Sequence, residues 1–151
     1  MTKKIAFKFK SPEESPGYLL GQLTTLWQRK IKTVLDPLNL TQTQFVLLTA
    51  LAWLSRENDK VTQVDIANQG NADRMMVSKV LRTLEAKKFI IRQEHTTDTR
   101  AKVIKLTTEG SKVLQNALTA VENADIDFFS VLDKDLTPFN QNMISLTEKN
   151  K

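Results

Sequence analysis

At 151 residues with a 40% hydrophobic fraction, the chain is long enough for one domain with a core of its own. It carries 22 Lys and Arg against 17 Asp and Glu, a net +5, and no cysteine, which excludes disulfides, thiolate metal sites and sensing of oxidants through its own thiols. No run approaches the ~18–20 uninterrupted apolar residues of a membrane span, and the basic N-terminus, Met1 to Lys10, lacks the apolar core and cleavage site of a secretory signal. A reducing, cytoplasmic setting with no membrane partner is therefore expected.

In chain order, the first element expected is a long amphipathic helix. Ser15 followed by Pro16 has the form of an N-cap with proline at the first helical position. Leu19, Leu20, Leu23, Trp27, Ile31, Val34, Leu35 and Leu38 then recur at three- and four-residue spacing as one long amphipathic helix, broken near Asp36-Pro37. The next start is written in a capping box: Thr41 with Gln44, flanked by Leu40 and Phe45 as a hydrophobic staple. The run from Phe45 to Leu54 reads as a mostly buried helix. Thr62 and Asp65 make a second box, opening a short helix from Gln63 to about Gln69 that Gly70 can close. Asp73 can cap the next helix, running from Arg74 to about Lys87. A short helix, a glycine-containing turn and a longer helix is the order of a helix-turn-helix.

Two β-like runs follow, 89–95 and 101–106, separated by the polar tip Thr96-Thr-Asp-Thr-Arg100. Thr107 can cap a further helix carrying Val113, Leu114, Leu118 and Val121 and extending through Phe128, Phe129 and Leu132. Thr137-Pro138 reads as the opening of a last helix with Phe139, Met143 and Leu146. The terminal helices lie on both sides of the central block in sequence, and their apolar stripes exceed what that small lobe can cover. Pairing with a second copy is the economical way to bury them, with a helix bundle inside one chain as the alternative. A two-fold dimer also suits DNA, because paired helices then meet half-sites about one helical turn apart, ~34–36 Å.

Charge is concentrated in the middle of the chain. Between Lys60 and Leu106 there are ten Lys and Arg against five Asp and Glu, while the segments before and after carry +3 and −3 and cancel. Such a block is the footprint of a polyanion partner; a solvated lysine-rich face is the plainer reading. Arg74, Ser78 and Arg82 fall at i, i+4 and i+8 and so share a helix face, with Met75 and Lys79 beside it. Val77, Val80, Leu81 and Leu84 form the opposing core stripe. Arginine can pair with guanine, serine with several partners, and methionine with a thymine methyl; Met75 is expected outside and Met76 in the core. Arg100, near the hairpin tip, can enter a minor groove, where narrow A·T tracts concentrate negative potential. Asp98 can orient that guanidinium through a charge-assisted hydrogen bond; an exposed pair worth ~0–1 kcal/mol is the plainer reading. Lys102, Lys105 and Arg92 read as phosphate neutralisers or solubilising charges.

An enzyme is not expected. His95 is the only histidine, there is no cysteine, and the four glycines form no phosphate loop. Asp125, Asp127, Asp133 and Asp135 lack the glycine and terminal glutamate of a calcium loop and read as a solvated acidic face. No cofactor or metal is called for. Trp27 and Trp53 could line a ligand pocket between the helical region and the central lobe, with Tyr18 or Arg29 supplying polar contacts; ordinary packing is the alternative for each.

With these elements in place, the chain resembles the bacterial MarR family of transcriptional regulators. The resemblance runs from about Ser15 to Glu148. It is carried by Leu40-Thr-Gln-Thr-Gln-Phe-Val-Leu-Leu, by Val77-Ser78 with Leu81 and Leu84-Glu85, and by Asp98-Thr-Arg100-Ala-Lys102 leading to Leu106-Thr-Thr-Glu-Gly110. It implies a mainly α fold with a small β-hairpin wing: a winged helix-turn-helix DNA-binding lobe at 40–106 and dimerisation helices at 15–38 and 107–148, within a single domain. It further implies a homodimer on double-stranded DNA at a pseudo-palindromic operator, usually repressing and often released by a small aromatic or phenolic ligand. Asp98 and Arg100 match the Asp-x-Arg of the family's wing tip. The chain departs from the family pattern after the recognition helix, where Lys88 stands in Leu84-Glu-Ala-Lys-Lys-Phe89 in place of the usual glycine. Either Lys88 takes the left-handed conformation at about 1 kcal/mol or more, or the helix closes another way. A winged-helix protein-interaction module, its basic face turned to an acidic protein, is the competing reading.

Overall fold

The structure is a computed structural model that describes residues 2–70, 72–94, 97 and 101–151. In chain order these form α1 (Pro16–Leu35), α2 (Gln42–Leu54), α3 (Gln63–Gln69), α4 (Arg74–Ala86), β1 (Ile90–Glu94), β2 (Lys102–Leu106), α5 (Thr108–Phe128) and α6 (Leu136–Lys149). Short 3-10 turns at Pro12–Glu14, Asp36–Leu38 and Ser130–Asp135 join or flank them.

The helix starts follow the local chemistry. Thr41 Oγ1 accepts from the Gln44 backbone N–H at 3.1 Å while Gln44 Oε1 accepts from the Thr41 N–H at 3.1 Å, and Thr62 with Asp65 repeats this reciprocal box at 3.3 and 2.9 Å. Asp73 Oδ1 accepts from the Met76 N–H at 2.9 Å, Thr107 Oγ1 from Gly110 at 2.9 Å and Ser15 Oγ from Tyr18 at 3.3 Å. Each bond satisfies a donor that the first helical turn cannot pair internally. The start of α6 differs from the sequence expectation. It begins at Leu136 rather than Thr137, and Asp135 at the capping position makes no side-chain bond. The chain instead turns at Asp133, whose φ of 47° and ψ of −118° set the direction of the last helix.

β1 and β2 pair antiparallel, Ile90 opposite Leu106 and Glu94 opposite Lys102. β1 starts at Ile90 and β2 at Lys102, each one residue later than the run that suggests it. The sheet has a further attachment: the Ile104 N–H donates to the Val61 carbonyl at 2.8 Å, and Thr62 bridges Val103.

One core holds the lobe together. Leu47, Leu48 and Leu51 of α2 sit among Ile31 and Leu35 of α1, Ile66 of α3, Val77, Leu81 and Leu84 of α4, Ile90 and Ile104 of the sheet, and Leu114, Ala117 and Val121 of α5. Burying each of the large aliphatic side chains contributes roughly 1.5–3 kcal/mol. The terminal helices contribute unequally to this core. α1 buries only Ile31 and Leu35, leaving Leu19, Leu20 and Leu23 exposed, and α6 buries no residue. Among the described residues no helix is long and apolar enough to cross a membrane.

Candidate nucleic-acid interface

The face of α4 away from the core is exposed and basic. Val77, Leu81 and Leu84 are buried at i, i+4 and i+7, so Arg74, Met75, Lys79 and Arg82 are left exposed and Ser78 half-exposed. Arg82 Nη2 donates to Ser78 Oγ at 3.4 Å, which places the two side chains together on one face. Met75 is 82% exposed. Met76 departs from expectation: at 36% exposure it lies outside the core, because the buried stripe starts one residue later, at Val77. Val80 packs against the core from its edge and is only partly buried.

The end of α4 is closed by Lys88. Its φ is 65°, its N–H donates to the Glu85 carbonyl at 2.9 Å, and the Phe89 N–H donates to the Leu84 carbonyl at 3.0 Å. These are the two bonds of a Schellman closure, so the lysine takes the left-handed role usually filled by glycine. The chain then enters the wing against the start of α5. Thr107 Oγ1 donates to the Lys88 carbonyl at 2.7 Å and the Thr107 N–H to the Phe89 carbonyl at 3.0 Å. A Cβ on Gly110 would lie 2.0 Å from that same Phe89 oxygen, so only glycine fits.

Two of the cations in the basic block are tied inward. Lys87 Nζ donates to the Asn39 carbonyl at 2.6 Å and to Gln44 Oε1 at 3.1 Å, clamping the end of α4 to the start of α2. Arg92, expected to be a phosphate neutraliser or a solubilising charge, has a side chain only 19% exposed. Its Nε lies 3.8 Å from Glu85 Oε1, and Nε and Nη2 are buried without a hydrogen-bond partner among the described residues. It lies between wing and recognition helix rather than on the outer surface. Lys60, Arg74, Lys79, Arg82, Lys88, Lys102 and Lys105 remain exposed. Asp98 and Arg100, like His95, lie outside the described residues.

The two tryptophans are not brought together. Trp27 Nε1 donates to Asp125 Oδ1 at 2.7 Å, and the ring lines an apolar groove between α1 and α6. Trp53 is 60% exposed beneath the Arg56 guanidinium, 4.3 Å from the ring centroid, and lines a separate pocket with Leu54, Glu57 and Asn58. The acidic face is also less free than expected, since Asp125 holds Trp27 and Asp127 pairs with Lys30.

A short helix, a turn, an exposed basic helix and an antiparallel hairpin docked beside it define a winged helix-turn-helix. The family model of the MarR family matches residues 40–102. An uncharacterized HTH-type transcriptional regulator of Bacillus subtilis (strain 168), YdcH, is 42% identical over 127 residues, covering 84% of this chain and 86% of that protein. The S. aureus MepR–DNA complex superposes with a TM-score of 0.81 at 27% identity, over 89% of this chain and 98% of that one. A mutant MarR from E. coli complexed with operator DNA shares the fold at a TM-score of 0.77 and 20% identity, over 93% and 99% of the two chains. The chain belongs to the MarR family of DNA-binding transcriptional regulators.

Proposed function

We propose that the protein is a homodimeric repressor that reads a pseudo-palindromic operator, one recognition helix per half-site. The observation that carries this reading is the exposed face of α4. Arg74, Met75, Ser78, Lys79 and Arg82 stand clear of the core on one helix, in the position from which a helix-turn-helix enters a major groove. MepR, similar in fold and 27% identical, is solved bound to DNA. In the same reading Arg100 inserts into the minor groove at each side, Asp98 orients it, and Lys102 neutralises backbone phosphate. The dimer is supported by the apolar surface that α1 and α6 leave uncovered, including Leu20 at 65% and Leu146 at 63% exposure.

Fluorescence anisotropy on operator DNA obtained by in vitro selection tests the reading. Arg100→Ala is expected to weaken operator binding at least ten-fold while the protein sediments unchanged; equal affinities would remove the wing from the mechanism. Log K should fall linearly with log[salt], by about 0.9 for each phosphate neutralised. A flat salt dependence on every DNA tested would instead favour a protein-interaction module. Release by a small aromatic or phenolic ligand is implied by the resemblance; Trp27 and Trp53 line different pockets, so a ligand in either pocket would meet only one of them.

A further inference from the structure

The end of α4 is held by a different kind of contact from its middle. Along the helix the apolar stripe Val77, Leu81 and Leu84 lies against the core, and apolar packing has no preferred direction. Three residues past Leu84, the Lys87 ammonium makes two directed bonds, to the Asn39 carbonyl at 2.6 Å and to Gln44 Oε1 at 3.1 Å.

Both acceptors belong to the junction where α1 turns into α2, and both are held independently of the lysine. Asn39 stands at φ 56° with its N–H bonded to the Asp36 carbonyl at 3.0 Å, and the next N–H, of Leu40, donates to the Leu35 carbonyl at 3.4 Å. Leu35 and Leu40 are buried. Gln44 is 8% exposed, and its Oε1 also accepts from the Thr41 N–H at 3.1 Å in the capping box of α2. Lys87 fills the second acceptor site of that oxygen.

We infer that Lys87 is a positioning residue for operator reading: it fixes the tilt of α4 against the α1–α2 junction and so sets the half-site spacing that the dimer accepts. The inference rests on the homodimeric operator reading above. The buried stripe and the pinned end are separate points, and two points define an axis. That axis is thereby tied to α1, the helix whose uncovered apolar side chains are read as part of the dimer contact. The wing shares the pin, because Lys88 closes the helix at the next residue and Phe89 leads into β1.

A small swing of the helix has a large effect at the DNA. Arg74 lies about 15 Å along α4 from Leu84 at 1.5 Å per residue. A swing of about 13° about Leu84 moves Arg74 by roughly 3.4 Å, the rise of one base pair. The two Lys87 bonds, on the other side of that pivot, oppose it. An ammonium at a helix end could instead meet a DNA phosphate, but two of its three protons are already given inward.

Anisotropy titrations at one salt concentration compare the selected operator with versions carrying one base pair more or one fewer between the half-sites. Wild-type protein is expected to lose at least ten-fold in affinity on either change, because rigidly paired recognition helices fit one spacing. Lys87→Met keeps the apolar stem and removes both bonds. It is expected to bind the selected operator roughly three- to ten-fold more weakly, and to lose less than about three-fold on the altered spacings. Lys87→Gln, uncharged and too short to reach both acceptors, should behave as Lys87→Met, and Lys87→Arg should restore the wild-type discrimination. A lysine that merely stabilised the lobe would lower affinity for all three DNAs alike. A wild-type spacing penalty in both Lys87→Met and Lys87→Gln would therefore overturn the inference. So would a salt slope shallower by about 0.9 for each lysine removed, the mark of a lost phosphate contact. Wild-type protein indifferent to spacing would remove the two-half-site reading, and this inference with it.

Discussion

Lys88 stands at φ 65° where α4 must reverse into the wing, and both closure bonds form around it. That conformation costs an L-residue roughly 1–2 kcal/mol, partly offset in any glycine replacement by the greater freedom glycine has when unfolded. Lys88→Gly is therefore expected to raise stability by a few tenths to about 1 kcal/mol in urea denaturation; a loss would mean that the lysine side chain contributes more than the strain removes. Gly110 presents the opposite case. Its neighbour is backbone, the Phe89 carbonyl, which cannot rotate away from a Cβ 2.0 Å distant. Gly110→Ala should cost about 3 kcal/mol by overpacking, read as a shifted denaturation midpoint with an unchanged slope. The sequence shows a glycine at position 110; only the packing of β1's entry over α5 shows why.

At the scale of elements, what the sequence made legible was local. Thr41 with Gln44, Thr62 with Asp65, and the caps at Asp73 and Thr107 are bonds between residues three apart, so their spacing in the chain is their spacing in space. The attachment of β2 to Val61 and Thr62 was not legible, because it joins residues about forty positions apart without a side-chain signature. Arg92 reads as an outward charge from sequence for a different reason: Glu85 is only seven positions away, but it sits on the preceding helix, and only the fold of the wing against that helix brings the two side chains near each other. The long Arg92–Glu85 pair and two guanidinium nitrogens unsatisfied among the described residues make a weak case for stabilisation. Arg92→Met, which keeps the apolar stem, should leave stability within about 1 kcal/mol in thermal or urea unfolding. A loss of several kcal/mol would show the ion pair to be a structural strut between wing and recognition helix.

The whole molecule divides between a lobe that closes its own core and terminal helices that do not. α2 is surrounded on several sides, while α6 buries nothing and α1 is buried only through Ile31 and Leu35. Apolar side chains held on rigid helices and left in water are a surface for association. Leu20→Glu, at a position 65% exposed in the single chain, should leave the lobe folded by circular dichroism while shifting sedimentation toward monomer and weakening operator binding. A dimer unaffected by that charge would place the interface elsewhere. The basic block has a similar division: Lys87 joins α4 to α2 and Arg92 lies beside Glu85, so the outward-facing charge is smaller than a count of the segment suggests.

The amino-acid sequence by itself determined the order of elements, the caps that start them, the concentration of positive charge on the central segment and the likeness to MarR-family regulators. These depend on spacing along the chain or on composition, and both survive without coordinates. Tertiary structure alone decided that Met76 lies outside the core, that Lys88 adopts the left-handed closure, that Lys87 and Arg92 turn inward, and that Trp27 and Trp53 part company. Apart from Lys88, whose closure bonds are local but whose choice between two closures is not written in the sequence, each of these depends on which backbone or side chain of another element arrives beside the residue, and one-dimensional spacing carries no record of that.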